Sequence, residues 1–179
     1  AVMAALLLTG GAVYLVSGTK ARQDARFAET PATLDGWAYL AKARYYEDRG
    51  TPDGADDRWL DLKDDVGIFT WLRENVEGSP TIAEAVGPLY HWTGRVSVNT
   101  GLPAVIGWDW HEIAYRMDYA GLIQERRSDT VRFFADPDPV FAATYLREYN
   151  VRYVIVGGEE RVFGTPAGLA KFATMSQLT

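Results

Sequence analysis

Pro139-Val140-Phe141-Ala142-Ala143-Thr144-Tyr145-Leu146-Arg147-Glu148-Tyr149 followed by Val151-Arg152-Tyr153-Val154-Ile155-Val156-Gly157-Gly158 is the stretch that decides the fold class. In the first part Phe141, Tyr145 and Tyr149 recur at four-residue steps, which puts them on one face of a helix. The second part is β-branched and stops at two glycines, the pattern of a strand closed by a turn. A second helix-strand pair lies upstream. Asp64 reads as its cap, Val66, Phe69, Leu72 and Val76 form an apolar stripe, and Gly78 and Pro80 end the helix. Thr81 to Val86 then reads as a strand. Helix, strand, helix, strand at these lengths predicts an α/β domain with a small, mainly parallel sheet and flanking helices.

The intervening segments are less regular. Asp35 to Tyr46 predicts a helix capped by Asp35, Gly50 to Asp57 a loop, and Arg95 to Val98 a further strand. Gly87 to Trp110 is dense in glycine, proline and aromatic residues and reads mostly as loop. His111 to Met117 fits one or two helical turns. Asp129 to Ala135 fits either helix or strand.

Composition narrows the function classes. The 179 residues hold 18 basic and 24 acidic side chains, a net charge of −6, and no cysteine. An acidic chain argues against a nucleic-acid surface, and the lack of cysteine excludes disulfides, a thiol nucleophile and thiolate metal sites. The charge is unevenly spread, for residues 1–19 carry none. Ala1 to Ser17 is nearly long enough to span a bilayer, and Lys20, Arg22 and Arg26 follow it as basic anchors do. Three readings meet here: the end of a transmembrane helix, a signal peptide, and a buried core helix. No charged segment precedes the run, as a signal peptide requires, and Gly10-Gly11 suits a core helix poorly. The transmembrane reading is preferred, and the first residue, which is not Met, suggests a piece of a longer protein. The expected layout is the end of a membrane helix at 1–19, a linker at 20–34 (with its most polar part from Gln23 to Pro31) and a soluble α/β domain at 35–179.

Motifs for chemistry are scarce. His111-Glu112 opens the zinc-protease pattern, but position 115 is Tyr rather than the second His that would face the same metal. Glu112 and Arg116 instead have the spacing of a helical ion pair. No Gly-x-Ser-x-Gly elbow or Walker-type loop occurs, and the acidic Glu159-Glu160 after Gly157-Gly158 favours a turn over a phosphate cradle. Glu84 and Glu112 are the available carboxylates for an acid/base pair, as a free-standing hydrolase would need. The richest stretch runs from Glu84 to Arg116. Within it Glu84, Tyr90, Arg95, Thr100, Trp108, His111, Glu112 and Arg116 are the candidate residues. Two readings stand: a site for polar ligands with apolar faces, sugars among them, or a structural latch in which aromatics pin an irregular loop.

The same residues carry a resemblance. Thr33-Leu34-Asp35-Gly36-Trp37-Ala38-Tyr39, Asp64-Asp65-Val66-Gly67-Ile68-Phe69-Thr70-Trp71-Leu72-Arg73-Glu74-Asn75-Val76 and Glu84-Ala85-Val86-Gly87 set its frame. Its most specific block is Arg95-Val96-Ser97, Thr100-Gly101-Leu102-Pro103, Gly107-Trp108, His111-Glu112 and Arg116, closed by Val154-Ile155-Val156-Gly157 with Glu160-Arg161. The chain resembles the C-terminal soluble region of the YYY-type multi-span membrane proteins, with Gly67, Ala83 and Tyr115 departing from that pattern. That family is similar in organisation to the GT-C glycosyltransferases, which use polyprenyl-phosphate-linked sugars outside the membrane and keep their catalytic acid in an early loop between membrane helices.

The resemblance implies an extracytoplasmic cap in the cell membrane rather than the catalytic machinery. No cofactor or metal is expected in the segment itself, and a polyprenyl-phosphate sugar is expected for the parent. The implied partners are the membrane, the rest of the chain's own membrane domain, and a lipid-linked sugar or glycan acceptor, with no nucleic acid. The basic flank after residue 19 points instead to the cytoplasm. The resemblance is preferred, because one flank does not fix the bias of a multi-span protein. A non-catalytic structural or interaction ectodomain is the alternative.

Overall fold

The computed structural model of the chain describes residues 2–26, 33–49, 57–176 and 178. Helix α1, Val2–Arg26, runs past the predicted end at residue 19, and residues 27–32 of the expected linker lie outside the described residues. Its span Val2–Ala21 has a mean hydropathy of 1.7 and is wholly unburied, so the core-helix reading is set aside. By length and composition it is able to cross a membrane.

The rest is a mixed helix-and-strand fold with small sheets. Strands β1 (Arg44–Glu47) and β2 (Arg58–Asp61) pair antiparallel, with Tyr46 opposite Trp59. The helix predicted over Asp35 to Tyr46 does not form. Residues 36–42 are turns, begun by an Asp35 carboxylate that accepts the Trp37 N–H at 2.9 Å. Beyond them, the Tyr46–Trp59 ring contact and the Arg44–Asp61 ion pair favour the hairpin over a helix. Most of the predicted loop from Gly50 to Asp57 lies outside the described residues.

Helix α2, Lys63–Asn75, follows the predicted stripe: Phe69 and Leu72 are buried, and Val66 and Val76 pack at the edge of the same core. Its N-cap is Leu62, not Asp64, which sits with Asp65 in the first turn, where carboxylates favour the helix dipole. Strand β3, Thr81–Ala83, pairs parallel with β4, Val151–Val154, and Ile82 makes an isolated parallel bridge to Ala104. The two sheets are thus one antiparallel and one parallel pair, which corrects the expected single, mainly parallel sheet.

Helices α3 (Arg95–Thr100), α4 (Asp109–Tyr115), α5 (Ala120–Ala135), α6 (Pro139–Glu148), α7 (Gly158–Phe163) and α8 (Pro166–Ala170) complete the domain. The ambiguous Asp129 to Ala135 is the last part of α5. Asp138 caps α6 by accepting the Val140 N–H, with Pro139 in the first turn. One core gathers Leu40, Phe69, Ile82 and Val96 beneath α2 and α3. A second stacks Phe133 on Tyr145 at 4.2 Å, with the Tyr145 hydroxyl 2.8 Å from that of Thr130. Because β3, β4 and the row at Ala104 run parallel, the segments that follow them emerge at one edge. Those segments carry Glu84, Trp108 and Glu160. The carboxyl edge of a parallel sheet is where α/β folds build their sites.

Candidate functional site at the carboxyl edge of the parallel strands

Glu84 leaves β3 directly, and its carboxylate accepts the backbone N–H groups of Val96 (3.0 Å) and Ser97 (2.9 Å). It therefore satisfies donors that the start of α3 leaves unpaired. Gly94 and Gly101 bound α3 with φ of 78° and 76°, left-handed values that glycine adopts without strain. This explains why Arg95 to Val98 is helical rather than the predicted strand. Its alternating pattern is overruled by glycines at both ends and a cap supplied from another element.

Arg95 is the hub. Its Nε donates to Asp65 at 2.8 Å, and its two terminal nitrogens donate to both oxygens of Glu160 at 3.1 and 2.9 Å. Glu84 lies 4.0 Å away, and the Trp92 indole N–H donates to Asp65. Arg95, Glu84 and Glu160 are all buried. Glu160 also accepts the N–H of Ala85 at 2.9 Å and of Gly157 at 2.7 Å. Gly157 is thus the N-cap of α7, and the anion position beside it is filled by the chain's own carboxylate. Burial works to raise the Glu160 carboxyl, but Arg95 and the two backbone donors hold it below the usual carboxylate range. Burial lifts Glu84 to about 7 against its hydrogen bonds and Arg95.

A second buried cluster adjoins the first and escaped the sequence reading. Glu47, at the end of β1, lies 2.5 Å from His91 Nδ1, and its other oxygen has no hydrogen-bond partner among the described residues. Among the described residues, both oxygens of the fully buried Glu159 lack partners as well. Burial, and then the neighbouring Glu47, push Glu159 up to about 8, so it is mostly protonated at neutral pH. The local signal was alternation: Tyr45 and Glu47 share the inward face of β1, but only once residues 44–47 are read as a strand.

The remaining candidates form an exposed aromatic patch. Tyr90 meets Trp108 at 5.2 Å and His111 at 5.3 Å, Trp108 meets His111 at 5.5 Å, and Trp110 meets His111 at 6.0 Å. His111 Nε2 and the Tyr90 hydroxyl are 3.1 Å apart. Tyr90 and Trp110 are 71% and 61% exposed, so their faces are open to solvent. Tyr90 also holds φ at 64°, a strained value for a bulky residue, and the buried Trp108 Nε1–H has no acceptor among the described residues. Beside the patch, Glu112 accepts the Gly107 N–H at 2.8 Å and lies 3.9 Å from Arg116, the pair read from spacing.

The structure therefore divides the eight candidates. Tyr90, Trp108, His111, Glu112 and Arg116 gather at the surface. Glu84 and Arg95 belong to the buried network, and Thr100 bonds the Val96 carbonyl at the end of α3. Glu84 and Glu112 are each held by their own backbone donors, those of Val96 and Ser97 and that of Gly107. Among the described residues, no group of three His, Asp or Glu is arranged to hold a metal ion. In comparison with known proteins, the chain matches no family, no curated protein and no solved structure.

Proposed function

We propose that the chain is the C-terminal extracytoplasmic domain of a multi-span membrane protein of the GT-C kind, assisting sugar transfer from a polyprenyl-phosphate carrier. On this reading the Tyr90–Trp108–Trp110–His111 patch receives the sugar or its acceptor. The observation that carries the reading is the open aromatic surface, held partly by a strained Tyr90 and flanked by Glu112 and Arg116. A sugar ring has an apolar C–H face and a hydroxylated rim, which such a surface complements. Helix α1 supports the membrane half of the proposal by its length and hydropathy.

The test is transfer by the parent protein in proteoliposomes, with a panel of polyprenyl-phosphate sugars. Tyr90→Ala and Trp110→Ala should each lower transfer by about ten-fold or more, a loss of ~1.4 kcal/mol in the barrier, with an unchanged melting temperature. No transfer by the wild type from any carrier, or full transfer by both variants, counts against the reading.

A second reading, a non-catalytic interaction ectodomain, is favoured by one observation. Glu84, Arg95 and Thr100 spend their polar atoms on internal bonds, as a latch would. If Trp110→Ala weakens assembly with the membrane part while transfer per assembled complex survives, that reading wins.

A further inference from the structure

Beside the aromatic patch, a cleft of about 460 Å³ opens after β3, between the 85–88 segment and α5. That is the size of a small-molecule site, which typically spans ~300–1,000 Å³. Two arginines, Arg49 and Arg127, are among its lining residues. Arg49 is pre-oriented: it lies 4.4 Å above the Phe163 ring and donates one N–H to the Val162 carbonyl at 2.8 Å. Among the described residues its guanidinium makes no ion pair. Arg127 uses its Nε toward Asp109, 3.2 Å away, and is 40% exposed. Of the acidic groups beside these cations, Asp109 pairs with Arg127, Glu47 bonds His91 through one oxygen, and Asp57 accepts the Arg49 backbone N–H at 2.8 Å and the Tyr46 hydroxyl at 2.7 Å.

At Gly87 a Cβ would stand 2.6 Å from the Phe163 ring and 2.8 Å from the Thr93 methyl, so the backbone here packs directly against both side chains. Pro88 and Phe134 supply apolar surface beside the two cations. Arginine presents paired donors that match the oxygens of a phosphate, and a stacked, pre-oriented guanidinium loses less freedom on binding.

We propose that this cleft binds the phosphate of a phosphate-ester ligand between Arg49 and Arg127. Asp109, which holds Arg127, stands between Trp108 and Trp110 in the sequence, and Pro88 is two residues before Tyr90. A sugar phosphate seated here would direct its sugar toward the patch. Only that sugar end rests on the function proposed above, because phosphate binding requires no transfer.

The experiment is calorimetric titration of the full chain in detergent micelles with three probes: inorganic pyrophosphate, glucose 1-phosphate, and a short-chain polyprenyl phosphate. Wild type should bind at least one, and Arg49→Gln and Arg127→Gln should each weaken binding by about ten-fold or more. Arg127→Lys, which keeps the charge and loses the fork, should fall between. Tighter binding of the polyprenyl phosphate assigns the ligand to a lipid, and tighter binding of glucose 1-phosphate to a soluble ester; either supports the site. Binding of no probe by wild type, or undiminished binding by the folded Arg49→Gln/Arg127→Gln double variant, overturns it. Neither result depends on whether the parent transfers sugar.

Discussion

Replacing Glu159 by Gln removes the titration of a fully buried carboxyl whose oxygens have no hydrogen-bond partner among the described residues. In the native state this group titrates near 8, against an ordinary value of 4.5. Burial is the largest cause, followed by the negative field of Glu47; Glu160 and Asp65 add to it and Arg95 opposes it. The sign follows from proton counting. Between the two pKa values the folded chain keeps a proton that the unfolded chain has lost, so stability falls as pH rises through that window. At ~1.36 kcal/mol per pH unit, the loss between pH 5 and pH 8 is about 4 kcal/mol, levelling off above pH 8. That is a large part of the ~5–15 kcal/mol that holds a domain together. The stability tied to Glu84 falls over its own, lower window in both proteins and drops out of the difference between variant and wild type. The assay is urea unfolding or thermal melting from pH 5 to pH 8. Glu159→Gln should match wild type near pH 5 and exceed it by roughly 10 °C at pH 8, taking ~2–4 °C per kcal/mol for a chain of this size. Parallel pH profiles for the two proteins would refute the assignment of a buried, protonated Glu159.

Two further substitutions probe the scaffold. Arg95→Met removes the only cation bonded to Asp65 and Glu160 among the described residues, leaving buried carboxylates uncompensated. It should cost about 3–5 kcal/mol near neutral pH, with partial recovery as acid protonates those groups, measured by urea unfolding at two pH values. Gly168→Ala drives a Cβ to 2.3 Å from the Phe134 carbonyl oxygen, where backbone cannot yield cheaply. It should lower stability by about 1–3 kcal/mol or more, seen as a lower urea midpoint at unchanged slope.

Legibility in the sequence followed how local the determinants are. Helix α6 and strand β4 were readable because the Phe141, Tyr145 and Tyr149 spacing and the β-branched run after Asn150 each specify one period. The stripe of α2 was readable for the same reason, although its cap was not: Asp64 has the residue type of a cap and lies two residues past it, in the first turn. Arg95 to Val98 was misread because its helix depends on Glu84, twelve positions upstream, which pairs the freed N–H groups of Val96 and Ser97. The Asp35 to Tyr46 segment failed similarly, since its strand needs Trp59 and Asp61 across the hairpin. At the site, the surface group of Tyr90, Trp108 and His111 came out of aromatic density alone. The role of Glu160 did not: two adjacent acids after two glycines looked hostile to an anion, whereas one of them is the anion that fills the position. Glu47, His91 and Glu159 come from three separate segments, and no spacing rule joins them.

The central claim, that the aromatic patch receives a sugar, is tested most directly by the indole N–H resonances of the six tryptophans in the full chain. Methyl glycosides of glucose, mannose and N-acetylglucosamine are titrated into the protein in detergent micelles. At least one sugar should shift the Trp108 and Trp110 signals saturably. Trp92, bonded to Asp65, and Trp37, bonded to Asn99, should stay in place. Trp108 and Trp110 signals that remain unmoved with every glycoside, or that move no more than those of Trp37 and Trp92, would contradict the claim.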